Sequence, residues 1–155
     1  MESKSTHQYV VIMVGYPGSG KTTVAQSSPR LVRVSQDDLG SKDECVKRYK
    51  EALSQGQSVV VDRTNIDRRQ RKLWIGLARE AGVTDIRCIF MDIPEEECVR
   101  RARSRKGHPT IVETTTLDKI KKIVHSFRKS LELPSLEEGF TSIYRYTERT
   151  KTDEQ

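Results

Sequence analysis

The chain has 155 residues, a length that suits one domain around one buried core and leaves no room for a second. Lys and Arg outnumber Asp and Glu by 28 to 22, a net charge of +6, and charged residues make up 32% of the chain. That balance favours anionic partners such as nucleotides or nucleic acid. The opening MESKSTHQ is polar, unlike a secretory leader, and no apolar run approaches the ~20 residues of a membrane span, so no membrane partner is expected.

Residues 1–7 and the closing TERTKTDEQ are expected to fray, leaving a single domain with an ordered core of about 9–147. Between those ends strand and helix signals alternate. Val10–Val14 reads as a buried strand, followed by a helix from near Gly20 to just before Pro29. LVRVS (31–35) reads as a short strand. KDECVKRYKEALSQG is helical, with Cys45, Val46, Tyr49, Ala52 and Leu53 on one face and Gly56 as a stop. SVVVD (58–62) is a buried strand, and DRRQRKLWIGLAREAG a helix ending at Gly82. DIRCIFMD is a strand. PEEECVRRARSR is a helix with Pro94 and acids in its first turn, as the helix dipole prefers. TLDKIKKIVHSFRKSLEL carries Ile120, Ile123, Val124, Phe127 and Leu131 at helical spacing, and FTSIYRYT is a last strand. Alternation of this kind predicts an α/β three-layer sandwich, a parallel sheet with helices on both faces. Ligands in such folds bind beyond the carboxyl ends of the strands, here just after Val14, Ser35, Val61 and Met91.

The stretch VVIMVGYPGSGKTT places Gly15, Gly20, Lys21 and Thr22 in the pattern G-x-x-x-x-G-K-[ST], the phosphate-binding loop. Glycine lets successive backbone N–H groups converge on phosphate oxygens, and the following helix adds its positive end. Gly15, Pro17, Gly18, Ser19, Gly20, Lys21, Thr22 and Thr23 are therefore the expected nucleotide-binding residues, with Lys21 on the β- and γ-phosphates and the Thr22 hydroxyl on Mg²⁺.

Whether the γ-phosphate passes to water or to a second substrate depends on other residues. VSQDDLG sets Asp37 and Asp38 just past a strand end. A hydroxyl acceptor needs a carboxylate to orient it and take its proton, and Asp also caps helices and turns. Asp37 is expected as the base and Asp38 as the cap. VVVDRTN ends an apolar strand in Asp62, the usual second half of a phosphate-loop site, where the acid supports Mg²⁺ directly or through water. Thr64 and Asn65 either orient the acceptor or build the turn.

VRRARSRKGHP carries Arg100, Arg101, Arg103, Arg105 and Lys106, which cannot share one helix face. Either they form a basic lid over the phosphates or they are a solvated helix face. Arg103 and Arg105, nearest the break at Gly107 and Pro109, are the lid candidates. Arg63, Arg68, Arg69, Arg71 and Lys72 either track a nucleic-acid backbone or form the wet side of a helix whose dry side holds Leu73, Leu77 and Ala78. His108 has no partner at metal-ligand spacing and is assigned to its loop. Trp74 and Tyr49 read as core or core-edge residues. The cysteines Cys45, Cys88 and Cys98 match no zinc or disulfide spacing and are expected as reduced thiols in a cytoplasmic or nuclear protein.

Taken together, GYPGSGKTT, RVSQDDLGS, VVVDRTNIDRRQR and RARSR resemble the kinase domain of polynucleotide 5′-hydroxyl kinases, the kinase half of the polynucleotide kinase-phosphatases most of all. LELPSLEEGFTSI looks like the end of that domain. The resemblance spans about Val10 to Tyr146 and implies the phosphate-loop kinase fold. It implies transfer of the ATP γ-phosphate to a 5′-OH end of DNA or RNA, with ATP, Mg²⁺ and nucleic acid as cofactor and partners. On the same basis Lys21 and Thr22 hold phosphate and Mg²⁺, Asp37 is the general base, Asp62 contacts the acceptor end or metal shell with Arg63, Thr64 and Asn65 beside it, and Arg103 or Arg105 is the lid arginine. No phosphatase half accompanies these motifs, so 3′-end processing is not expected of this chain. Two other functions fit the same loop, a kinase of a small metabolite and a non-catalytic module that recognises nucleic-acid ends.

Overall fold

A computed structural model describes residues 7–15, 30–104 and 117–147, with the backbone only at Asp37 and at 102–104. The expected helix after Gly20 and the residues of the phosphate-loop motif beyond Gly15 lie outside the described residues, as do Arg105, Lys106 and His108.

YVVIMV forms β1 (Tyr9–Val14), and its unbroken apolar run is explained by its position. Among the described residues it lies at the centre of a five-stranded sheet of order β2-β3-β1-β4-β5, all parallel, where β2 is Val32–Ser35, β3 Val59–Asp62, β4 Asp85–Met91 and β5 Ser142–Tyr146. A central parallel strand is covered on both faces, so alternation disappears from its sequence. Val10 pairs with Val59 on one side and Ile86 on the other.

Two apolar clusters flank the sheet. Val10, Ile12, Val14, Val61 and Ile86 pack against α2 (Lys42–Ser54) and α3 (Arg68–Glu80) through Tyr49, Leu53, Trp74 and Ile75. Val11, Met13 and Val60 pack against α4 (Glu95–Ser104) and α5 (Leu117–Ser130) through Cys98, Val99, Ile120 and Val124. The result is the expected three-layer sandwich. Tyr49 and Trp74 are core residues, in edge-to-face contact at 5.0 Å, and the Tyr49 hydroxyl donates to the Trp74 carbonyl at 2.8 Å. Both helices on that face stop at left-handed glycines, Gly56 (φ 77°) and Gly82 (φ 85°), where a side chain would be strained.

Two expectations need correction, and one short element is new. QDDL forms a one-turn helix, α1 (Gln36–Leu39), directly after β2. Asp38 does not cap the helix that follows: Ser41 does, its hydroxyl accepting from Glu44 N at 3.1 Å, because Asp38 is drawn instead to Arg33. Arg71 belongs to neither a wet face nor a nucleic-acid track. It is fully buried, while Leu73 and Leu77 are only partly so, and the dry side of α3 is Arg71, Trp74, Ile75 and Ala78. No helix among the described residues is long and apolar enough to cross a membrane.

All three cysteines are free and buried. Burial pushes the Cys88 thiol up to about 12 and raises that of Cys45, and the thiolate is the reactive form. A disulfide reagent at mildly alkaline pH is expected to leave the native protein unlabelled and to label all three cysteines once guanidinium unfolds it. Rapid labelling without denaturant would contradict this packing.

Candidate active site at the carboxyl ends of the strands

The motif begins where β1 ends, and the turn after β3 holds that point in place. The Gly15 amide donates to the Thr64 carbonyl at 3.0 Å. Asn65, 1% exposed and in the left-handed region at φ 45°, donates from Nδ2 to the Met13 carbonyl at 2.8 Å. The Thr64 backbone carbonyl and the Asn65 side-chain amide thus build this turn.

Asp62 ends β3 opposite Ser35, the last residue of β2. Alternation along a strand puts Arg33, Ser35 and Asp62 on one face of the sheet. Arg33 uses this placement fully. Its Nε and Nη2 meet Asp62 Oδ2 at 2.9 and 2.8 Å, Nη1 donates to Asp38 Oδ2 at 2.6 Å, and Nη2 reaches Ser35 Oγ at 3.3 Å. The Asp62 side chain is 3% exposed and that of Asp38 57%, so the guanidinium spans from interior to surface. A second arginine acts on the same turn: Arg63 Nη2 donates to Gln36 Oε1 at 2.8 Å and its guanidinium lies 6.0 Å from the Trp74 ring. The one-turn helix α1 is thus fixed on both sides of Asp37, at Gln36 by Arg63 and at Asp38 by Arg33. Neither role of Arg33 was visible from its residue type. The available signal was an arginine two residues before the end of a strand that precedes an acidic turn.

On α4 the arginines divide. Arg100 and Arg101 both donate to Glu97, Arg100 at 3.0 and 2.5 Å and Arg101 at 2.9 Å. The Arg100 hydrogen bond, with help from Arg101, brings the Glu97 carboxyl down to about 2 against the opposing effect of burial. These two serve ion pairs along the helix, while the Arg103 side chain and Arg105 lie outside the described residues.

The site therefore gathers the first motif glycine, the helix bearing Asp37, and Asp62 at the carboxyl edge of β1, β2 and β3. The sheet order and its two helical layers are those of the phosphate-loop kinases. Residues 10–128 match the family described as the AAA domain, and the chain belongs to that family. A bifunctional polynucleotide phosphatase/kinase of Schizosaccharomyces pombe (strain 972) is 37% identical over 143 residues, covering 90% of this chain and 34% of that protein. A protein of Acanthamoeba polyphaga mimivirus that carries the same description provisionally is 32% identical over 148 residues, 93% of this chain and 34% of its own. The chain thus spans about a third of the length of these curated relatives. A gluconokinase from Sinorhizobium meliloti 1021 superimposes with a TM-score of 0.61 at 18% identity, covering 96% of this chain and 87% of that one; that likeness is one of fold.

Removing one partner of a buried charge pair leaves the other charge uncompensated in low dielectric. Arg33→Met is expected to lower stability by about 3 kcal/mol in urea unfolding. Arg48→Met, which breaks the surface pair with Glu51, should stay within about 0.5 kcal/mol of wild type.

Proposed function

We propose that this chain is an ATP- and Mg²⁺-dependent polynucleotide 5′-hydroxyl kinase. One observation carries the proposal: the two carboxylate positions and the first motif glycine converge on a single edge, with Asp37 held on a helix fixed by Arg33 and Arg63. The names of the two relatives, which match over nine-tenths of this chain, support the polynucleotide acceptor.

In this proposal Asp37 accepts the proton of the 5′-hydroxyl as its oxygen attacks the γ-phosphorus in line. The bond between that phosphorus and the β,γ-bridging oxygen breaks, the leaving group is ADP, and the proton passes from Asp37 to solvent. Lys21, Arg103 and Arg105 hold the charge that shifts onto the transferring and leaving oxygens. Gly15, Pro17, Gly18, Ser19, Gly20, Thr22 and Thr23 cradle the donor phosphates, and Arg63 with Thr64 borders the acceptor end. Thr22 and Asp62 are the residues that would hold Mg²⁺. Asp62 is buried with its Oδ2 on Arg33, which suits it to the ion's outer shell. The bound ion would supply neutralising charge at the phosphates. Three buried free thiols support a cytoplasmic or nuclear setting.

The test incubates the protein with γ-labelled ATP, Mg²⁺ and short 5′-OH DNA and RNA strands, beside 5′-phosphorylated controls. Label on the 5′-OH strands alone is the expected result. ATP binding without transfer to either strand would sink it, and would leave the small-metabolite kinase or the end-binding module. Asp37→Asn should reduce transfer by about 10²–10⁴-fold while ATP still binds. Undiminished turnover would remove Asp37 from the base role.

A further inference from the structure

The proposed chemistry makes no use of the late segment Leu131–Gly139, yet it is bound closely to the start of α3. Glu132 N donates to the Ile66 carbonyl at 2.7 Å, and Arg68 N to Glu132 Oε1 at 3.0 Å. Arg68 Nη2 reaches Ser135 Oγ at 3.1 Å. The segment then makes one 3₁₀ turn, Leu136–Glu138, and Glu138 meets Arg71 as a fork, Nε to Oε1 at 2.7 Å and Nη2 to Oε2 at 3.0 Å. Glu138 Oε2 also accepts from Ser135 N at 2.9 Å, so the carboxylate is aimed by its own turn. The Arg71 side chain is 0% exposed and that of Glu138 6%. Bidentate charge-assisted bonds fix direction as well as distance, and burial strengthens them.

The fork has a third contact, with the turn described above. Arg71 Nη1 donates to the Asn65 backbone carbonyl at 2.9 Å. Asn65 occupies the left-handed region, which asparagine tolerates better than other non-glycine residues, and its Oδ1 is buried with no hydrogen-bond partner among the described residues. The unsatisfied oxygen costs free energy, which the bonds that Asn65 makes to Met13 and accepts from Arg71 offset. Its amide in turn holds Met13, and the neighbouring Thr64 carbonyl holds Gly15. A line of bonds therefore joins Glu138, Arg71, Asn65 and the Met13 carbonyl, two residues before the first motif glycine, and Asn65's neighbour Thr64 holds Gly15 itself.

We propose that Glu138 and Arg71 are positioning residues that act through Asn65 to set the start of the phosphate loop, so that the segment Leu131–Gly139 controls nucleotide affinity from outside the motif. This rests on the reading of Gly15–Thr22 as a nucleotide-binding loop. Releasing the line lets the Asn65 turn relax and frees the Met13 carbonyl and Gly15 amide, and backbone amides that no longer converge bind phosphate poorly.

Asn65→Gly separates this role from folding, because glycine accepts the left-handed backbone and only the amide link is lost. Glu138→Gln keeps the shape of the side chain and weakens the fork. Dissociation constants for ATP with Mg²⁺ would be measured by calorimetry below each melting midpoint, with Leu53→Ala as a control that thins the core away from the turn. Both test variants are expected to bind about ten- to a hundredfold more weakly, while Leu53→Ala melts earlier and binds as wild type does. Folded variants with wild-type affinity would overturn the positioning role, as would an equal weakening in Leu53→Ala. If Glu138→Gln does not fold, Asn65→Gly decides. Wild-type protein that binds no ATP would overturn the nucleotide reading and this role with it, an outcome distinct from unchanged variants.

Discussion

A strand hidden on both faces and along both edges must satisfy every backbone group from within the protein. β1 is such a strand, and the rest of the molecule is arranged around that requirement. Its ladder with β3 pairs Val10, Val11 and Ile12, and Met13 and Gly15 lie beyond that ladder. The turn after Asp62 takes over there, offering the Asn65 amide and the Thr64 carbonyl in place of ladder partners. The backbone requirement of a buried strand and the placement of a phosphate loop are met by the same few atoms.

Charge follows from the same geometry. Parallel strands gather the ends of β1, β2 and β3 at one edge, and two of those ends run into acids, Asp62 and the Asp37–Asp38 pair. Bringing acids together in a partly dry place raises their energy unless cations accompany them. Arg33 and Arg63 enter from the adjoining strand and turn, one bridging two carboxylates and the other bonding a glutamine. Several arginines pair with acids of the same chain, among them Arg33 with Asp62, Arg71 with Glu138, and Arg100 and Arg101 with Glu97. Each such pair removes acid along with base, so the excess of +6 rests mostly on the remaining cations.

Regular elements were legible because burial repeats with their period. Cys45, Tyr49, Ala52 and Leu53 mark one face of α2, and β1 announces its central position by having no polar residue at all. α1 and the 3₁₀ turn are too short for any period to show, whereas the Ser41 cap carried a local signal, Ser41 followed three residues later by Glu44, that the two nearby aspartates obscured. Arg71 sat among four other basic residues in the sequence, and nothing local distinguished it. Its partner Glu138 lies far along the chain, and a buried ion pair is visible only once both ends are placed. The places of Asp62 at the end of β3 and of Gly15 just after β1 were legible because strand-then-turn is a local pattern. Arg33 was not, because its two carboxylates come from different elements.

Among the described residues every ladder in the sheet is parallel, and no strand pairs with the next one across a tight turn. β1 leaves the ribosome before all of its partners and, with its apolar residues uncovered, must wait for β3 and then β4. Its strand edges and its apolar surface stay open through that interval, which makes this stretch the natural target for a chaperone during synthesis and the point where a stalled chain would first self-associate.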